Sequence, residues 1–446
     1  MTRTAPELHM KEIEKFSPKP FETLLIYLTI FISSLTFFDT PFEGYFHYLI
    51  FLLFFPFFIN HLGLPKVPFQ LLLIPLVIGI FQVVMGNNTV QLFLKIFIGV
   101  MLSTSFYYYV FEYYNMDLER LFRLYLKGCK ICCYIGLVQW VSYKVGFTPG
   151  YNYSWLLNKW AIVASAGGGL RVNSIFAEPA QFSIVMAPAV FVAFYSLILR
   201  TNKYFDPLES ALIILLELLS TASTGYIGFF VVFLLLLANY GYFVNLLLGV
   251  VVAIAFGTAI YAYVPEFRSR VDSSIGLWID EDLSVKNVNS SSFVLYNNFH
   301  IAKENFFNSY GLGTGLGSHK VAFDKYTLTR NTNILNFAFN KSDANSMFLR
   351  LWSETGIVGI FFILVLIFKC YVRRSDDDDD LHWVISNSML VLIILSLFRQ
   401  GNYFLNGFPF ILWFYYYNFI IHKARKKEQA ESLPALNGSA EPSPTI

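Results

Sequence analysis

Apolar runs of membrane-crossing length alternate along the 446-residue chain with short polar turns. No Asp, Glu, Lys or Arg stands between Lys66 and Lys95, between Glu178 and Arg200, or between Arg399 and Lys423. Between Glu217 and Glu266 lie 48 uncharged residues, room for two helical crossings at about 20 residues each. The pattern predicts an all-α polytopic bundle of about twelve transmembrane helices. They fall near 22–38, 45–60, 68–86, 90–112, 128–148, 181–199, 207–222, 225–241, 243–264, 355–372, 381–399 and 407–422. Two segments are too long to be turns, 149–180 and 265–345, and loops of that length usually carry function or are disordered. The chain therefore divides into a bundle over 1–264 that includes the 149–180 loop, a large outer loop over 265–345, closing helices over 346–422, and a tail over 423–446 read as disordered.

Composition agrees with the pattern. Hydrophobic residues make up 56% and charged ones 14%, too apolar for one water-soluble core. Thirty-two Lys and Arg against 30 Asp and Glu leave +2, which does not suit nucleic-acid binding. Distribution matters more than the sum. With a cytoplasmic N-terminus the inner segments collect Lys and Arg, such as Arg120, Arg123, Lys127 and Lys130, and the tail carries Lys423 to Lys427. Turns 39–44, 86–89 and 222–225 carry none. Both termini are thus expected inside and both long loops outside. The first twenty residues lack an apolar stretch and a small-residue cleavage site, so the first crossing is expected to be its own targeting signal.

Four stretches could carry chemistry. In GGGLRVNSIFAEP, Arg171 and Glu178-Pro179 stand at the mouth of a crossing, where Pro suits a first helical turn; lipid-headgroup contact and helix capping are the plainer alternatives. In Gly311 to His319, GLGTGLGSH, glycines would let backbone N–H groups approach an anion, and His319 is a candidate general base or an ordinary loop histidine. The spacing does not fit a dinucleotide loop. In ANSMFLRLWSETG, after Asn345, Ser346, Arg350 and Glu354 share a helical face, where an ion pair four residues apart is the simplest outcome. Glu217 is a carboxyl inside an apolar crossing, by default a functional candidate. The Asp376 to Asp380 run reads as a solvated inner loop. The four cysteines lie at or near inner ends of crossings, outside both long loops.

Arg171 through Glu178-Pro179, the outer loop with GLGTGLG, and ANSMFLRLWSETGIVG together resemble the bacterial O-antigen polymerase family (Wzy) and its relative, the O-antigen ligase (WaaL), over roughly residues 160 to 370. Ala344-Asn345 stands where the ligase pattern has His-Asn, Ser223 replaces a family Arg, and no basic residue surrounds Phe293. The resemblance implies a multi-pass enzyme of the bacterial inner membrane. It would transfer a glycan from one polyprenyl diphosphate carrier to another lipid-linked repeat unit at the periplasmic face, alongside a flippase and a chain-length regulator. A ligase-type glycosyltransferase and a transporter are the alternatives. Chemistry then assigns Arg171 and Arg270, with Arg268 in reserve, to the diphosphate, and Glu178 or His319 to the acceptor proton. Tyr151, Tyr153, Trp155 and Trp160 could stack on sugars. Fixed cations can replace a metal, so no metal or other cofactor is expected.

Overall fold

A computed structural model describes residues 20–38, 44–164, 168–240, 250–251, 254–255, 257–258, 261–263, 265–279, 290–330, 340–377 and 379–437. Among them the fold is helical, and extended pairing is confined to the isolated bridges Thr36–Tyr45 and Ala164–Leu170. Among the described residues five helices are long and apolar enough to cross a membrane: α3 (Lys66–Val84), α4 (Val90–Tyr113), α7 (Pro179–Leu199), α13 (Met347–Lys369) and α14 (Leu381–Arg399). Shorter or more polar helices complete the bundle. They are α1 (Pro20–Ile30), α2 (Phe46–Leu62), α5 (Leu118–Lys144), the turn α6 (Thr148–Tyr151), α8 (Pro207–Ser220), α9 (Ser223–Asn239) and α15 (Phe408–Asn437).

Local chemistry sets the ends of these helices. Asp117 caps α5 by accepting from the Arg120 N–H at 3.0 Å. Asp206 and Glu209 form a capping box on α8, with Pro207 at its first position. The centre is α7 against α14, each buried along most of its length, with α8, α9 and α15 packed around the pair. Pro188 lies inside α7, a site tolerated where neighbouring helices enclose the freed carbonyl.

Several elements differ from the pattern-based expectation. The first helix stops at Ile30, because the following chain bonds elsewhere. Asn158 accepts from Thr36 N at 2.9 Å and donates to Thr36 O at 2.6 Å, while Lys159 N donates to Ser34 O at 3.0 Å. Helix α5 begins ten residues before the expected crossing, at its Asp117 cap. Helix α15 continues through 423–437, part of the segment read as a structureless tail. Arg425 there reaches Asp379 at 2.6 Å, and Lys- and Glu-rich sequence favours helix. The crossing expected at 243–264 lies largely outside the described residues.

The described residues of 265–345 form three α-helices, α10 (Pro265–Trp278), α11 (Ser290–Asn308) and α12 (His319–Tyr326). An aromatic column joins α10 and α11 to α13: Trp278 on Phe299 at 5.1 Å, Phe299 on Trp352 at 5.7 Å, and Phe306 on Trp352 at 5.6 Å. The glycine loop locks against a kink in α13, where Gly356 takes φ 57°. Thr314 N and Gly315 N donate to the carbonyls of Ser353 and Glu354 at 3.2 and 2.7 Å, and Ile357 N donates to Gly311 O at 2.9 Å. The Thr314 and Gly315 N–H groups, in the loop expected to meet an anion, serve the kinked helix instead.

A Cβ on Gly313, whose φ is 71°, would stand 2.6 Å from Gly356 N. Gly63 has a similar φ of 77° with nothing within 4 Å. Gly313→Ala is therefore expected to lower stability by about 1–3 kcal/mol more than Gly63→Ala, read as the difference in thermal unfolding midpoints in detergent. Equal midpoints for the two variants would contradict this packing.

Candidate active site: a cavity at the helix ends

A cavity of about 1010 Å³ opens where the N-termini of α7, α9 and α13 meet the C-terminus of α14, with α10 and α11 above. Arg171, Glu178 and Arg399 line it, beside apolar walls that include Trp278, Phe299 and Phe348. Helix N-termini carry partial positive charge and unpaired N–H groups. Neither α7 nor α9 has a side-chain cap hydrogen bond, so two guanidinium groups and these helix ends give the cavity an anion-binding character.

Each charged group is held by its neighbours. Arg171 follows the short bridge Ala164–Leu170, and its backbone N donates to Val163 O at 3.0 Å. Its Nε donates to Ser220 O at 3.3 Å and Thr221 Oγ1 at 3.1 Å, and its Nη2 donates to Thr221 O at 3.2 Å. The left-handed turn at Thr221, which ends α8, thus orients the guanidinium. Glu178 has extended backbone, and its carbonyl receives Gln181 N and Phe182 N at 3.2 and 3.3 Å. The residue is exposed to solvent at the cavity, with protein packed densely around its carboxyl. Desolvation by that protein raises its pKa above the usual carboxylate value, opposed by Arg399 and Arg171 and assisted by Asp343.

Arg399 lines the cavity although the sequence pattern does not single it out. A signal was present: it stands at the expected outer end of a crossing, next to a turn otherwise without Lys or Arg. Arg268 lies instead on the exposed side of α10, its Nε 3.8 Å from Asp272 Oδ2, and does not line the cavity. The Arg270 side chain lies outside the described ones. Of the aromatic candidates none lines the cavity; Trp160 is buried and donates to Ser174 O at 2.8 Å, and Trp155 is exposed.

Arg350, Glu354 and His319 belong to a separate buried network, with Asn345 and Ser346 beside it and Glu217 elsewhere. Arg350 Nε meets Glu354 Oε1 at 3.0 Å, and Arg350 Nη1 donates to Gly401 O at 2.7 Å. Tyr403 donates to Glu354 Oε2 at 2.9 Å and lies under the guanidinium, 4.4 Å from ring centre to Cζ. His319 N reaches Glu354 Oε1 at 3.4 Å, and its Nε2 pairs with Asn298 Oδ1 at 2.9 Å. Asn298 spends its amide on Val294 O, so the ring nitrogen is the donor. Asn345 takes φ 56°, and its N–H donates to Asp343 Oδ1 at 3.2 Å. Ser346 caps α13, accepting from Leu349 N at 3.2 Å, and donates to Leu397 O at 2.7 Å. Glu217 is buried between Ser183 and Gly225 and does not line the cavity.

Burial, with Arg350 nearby, lowers the His319 pKa to about 3. So lowered, the ring holds a proton weakly, and it is enclosed and away from the cavity, which does not suit a general base there. No protein-family model matches the chain, and comparison with curated proteins and with solved structures found no match.

A histidine whose folded pKa lies below its unfolded value near 6.5 makes the unfolded state bind more protons between the two. Its contribution is complete above about pH 6.5 and is lost as pH falls towards 3. His319→Gln is expected to flatten that acidic loss of stability and, by disturbing the Asn298 partner, to cost about 1–3 kcal/mol at neutral pH. Thermal midpoints measured from pH 4 to 8 test both; an unchanged slope would place the titration elsewhere.

Proposed function

We propose that the chain is a bacterial membrane glycosyltransferase of the polysaccharide-polymerase type, joining polyprenyl diphosphate-linked glycans at the outer face of the plasma membrane. The observation that carries the proposal is the convergence of Arg171, Arg399 and Glu178 in one cavity with apolar walls at the ends of membrane-length helices. A diphosphate-linked sugar needs little activation; it needs its leaving group held, the growing charge neutralised and a proton removed. Guanidinium forks remain charged and match phosphate oxygens.

In this mechanism an acceptor hydroxyl oxygen attacks the anomeric carbon of the donor glycan. The bond from that carbon to the diphosphate oxygen breaks, and its electron pair leaves with the prenyl diphosphate. Arg171 and Arg399 receive the leaving charge, and Glu178 takes the hydroxyl proton. Arg399 thereby takes the diphosphate-holding role expected of Arg268 and Arg270. The topology belongs to the same proposal: about twelve crossings, both termini cytoplasmic, the 265–345 segment outside, and a flippase and a chain-length regulator as partners. A ligase would use the same donor with a different acceptor. A transporter would place its working charges near the bilayer midplane, whereas this cavity lies at helix ends.

Arg171→Ala and Glu178→Gln, at normal protein levels, are expected to reduce polymerisation by about 10²-fold or more and leave single repeats on the carrier. Electrophoretic profiling of surface glycan reads this, and a full-length ladder in both variants would overturn the site. Glu178 acts ionised, and Arg399 lowers its pKa. Arg399→Ala should therefore move the acidic limb of the rate profile of purified enzyme to higher pH.

A further inference from the structure

The other end of the bundle carries a second, smaller site that glycan transfer does not use. Helix α7 runs from Glu178 at the cavity to Arg200, and its 21 residues span about 30 Å, the thickness of a bilayer core. Near its far end a pocket of about 220 Å³ is lined by Arg123, Leu126, Lys127, Lys130, Tyr204 and Phe205. The three cations lie at i, i+4 and i+7 on α5, hence on one face of that helix.

Their roles differ. Arg123 is fixed by Glu119 at 2.8 Å, donates to Lys203 O at 3.0 Å and stands 5.3 Å over the Tyr204 ring. Lys130 is fixed by Glu209 at 2.5 Å. Lys127 is exposed and has no acidic partner among the described residues, so the pocket keeps a positive charge. The Tyr204 hydroxyl is buried and finds no hydrogen-bond partner among the described residues.

The same face continues towards the cavity end as an exposed apolar stripe. Ile131, Tyr134, Val138 and Val141, spaced by three and four residues, are 40%, 45%, 55% and 46% exposed. From Lys127 the stripe extends for about 20 Å. A basic pocket near the far end of a bilayer-length helix, aligned with an apolar strip of acyl-chain length, matches a ligand with an anionic head and a hydrocarbon tail. Free phosphate would leave the stripe unused, and a choline head would bring an ammonium to Lys127.

We propose that this face of α5 binds an anionic glycerophospholipid, its phosphate at Lys127 between Arg123 and Lys130 and one acyl chain along Ile131 to Val141. The test uses delipidated, detergent-solubilised full-length protein titrated with dioleoyl phosphatidylglycerol, dioleoyl phosphatidylcholine or sodium phosphate, with bound molecules counted by native mass spectrometry. Phosphatidylglycerol should be retained about fivefold better than phosphatidylcholine. Lys127→Gln should remove that preference without moving the thermal midpoint, because Lys127 holds no partner within the fold, and Lys127→Arg should keep it. Equal retention of the two lipids, or an unchanged preference in Lys127→Gln, would overturn the proposal. Displacement of phosphatidylglycerol by equimolar phosphate would overturn the lipid assignment in favour of a free anion.

Discussion

The arrangement depends on one buried ion pair. Arg350 and Glu354 are 3% and 0% exposed, and charges removed from water stabilise a fold only if their remaining donors and acceptors are met. Here they are met by groups from separate parts of the chain: Gly401 O, the Tyr403 hydroxyl and the His319 N–H. Each partner holds its own segment. The pair therefore fixes the start of α13, the start of α12 and the turn after α14 in one register, with the Gly356 kink closed over it by the glycine loop. Replacing only one partner would leave an uncompensated charge in the interior.

Register passes from this network to the cavity above it. Arg399 stands two residues before Gly401, whose carbonyl Arg350 holds. Ser346, which lines the cavity, is one helical turn before Arg350. The Asp343 to Asn345 turn packs so closely on Gly401 that a Cβ there would meet Asp343 O. Arg171 is held independently by the end of α8. The two cations are thus carried by different anchors, a geometry that preorganises a site without requiring them to contact each other.

The membrane character was legible because a water-soluble fold has little use for charge-free runs of crossing length. Helix ends were legible where a capping residue marked them, as at Asp206 and Ser346. The short first helix was not, since its end is decided by Asn158, more than a hundred residues away. The helices described in 265–345 were hidden by a composition rich in Asn, Ser and Gly, some of whose polar groups find distant partners, as Asn305 does in bridging Thr314 and Ser353. At the site, Arg171 and Glu178 were visible as charges beside a helix start, and the structure brings both to one cavity. Arg399 was passed over because a lone cation ending an apolar run reads as a boundary, and only packing of α14 beside α7 brings it to the same place. His319 looks like a base from its residue type, but burial weakens its hold on a proton and packing keeps it out of the cavity.

The difference between His319 and Glu178 shows why environment, not residue identity, decides which group could accept a proton. His319 is enclosed with Arg350 nearby, so protonation would place a second cation in a dry interior. Glu178 instead borders the solvent-reached cavity; desolvation by the protein around it favours its neutral form, while Arg399 and Arg171 favour its charge. Those two arginines are the groups that an incoming diphosphate would engage in the proposed reaction. Once their charge is partly neutralised by the ligand, the influence lowering the proton affinity of Glu178 weakens and burial prevails. Donor binding would in this way strengthen the base as the acceptor hydroxyl arrives, coupling occupancy of the anion site to proton removal through electrostatics alone.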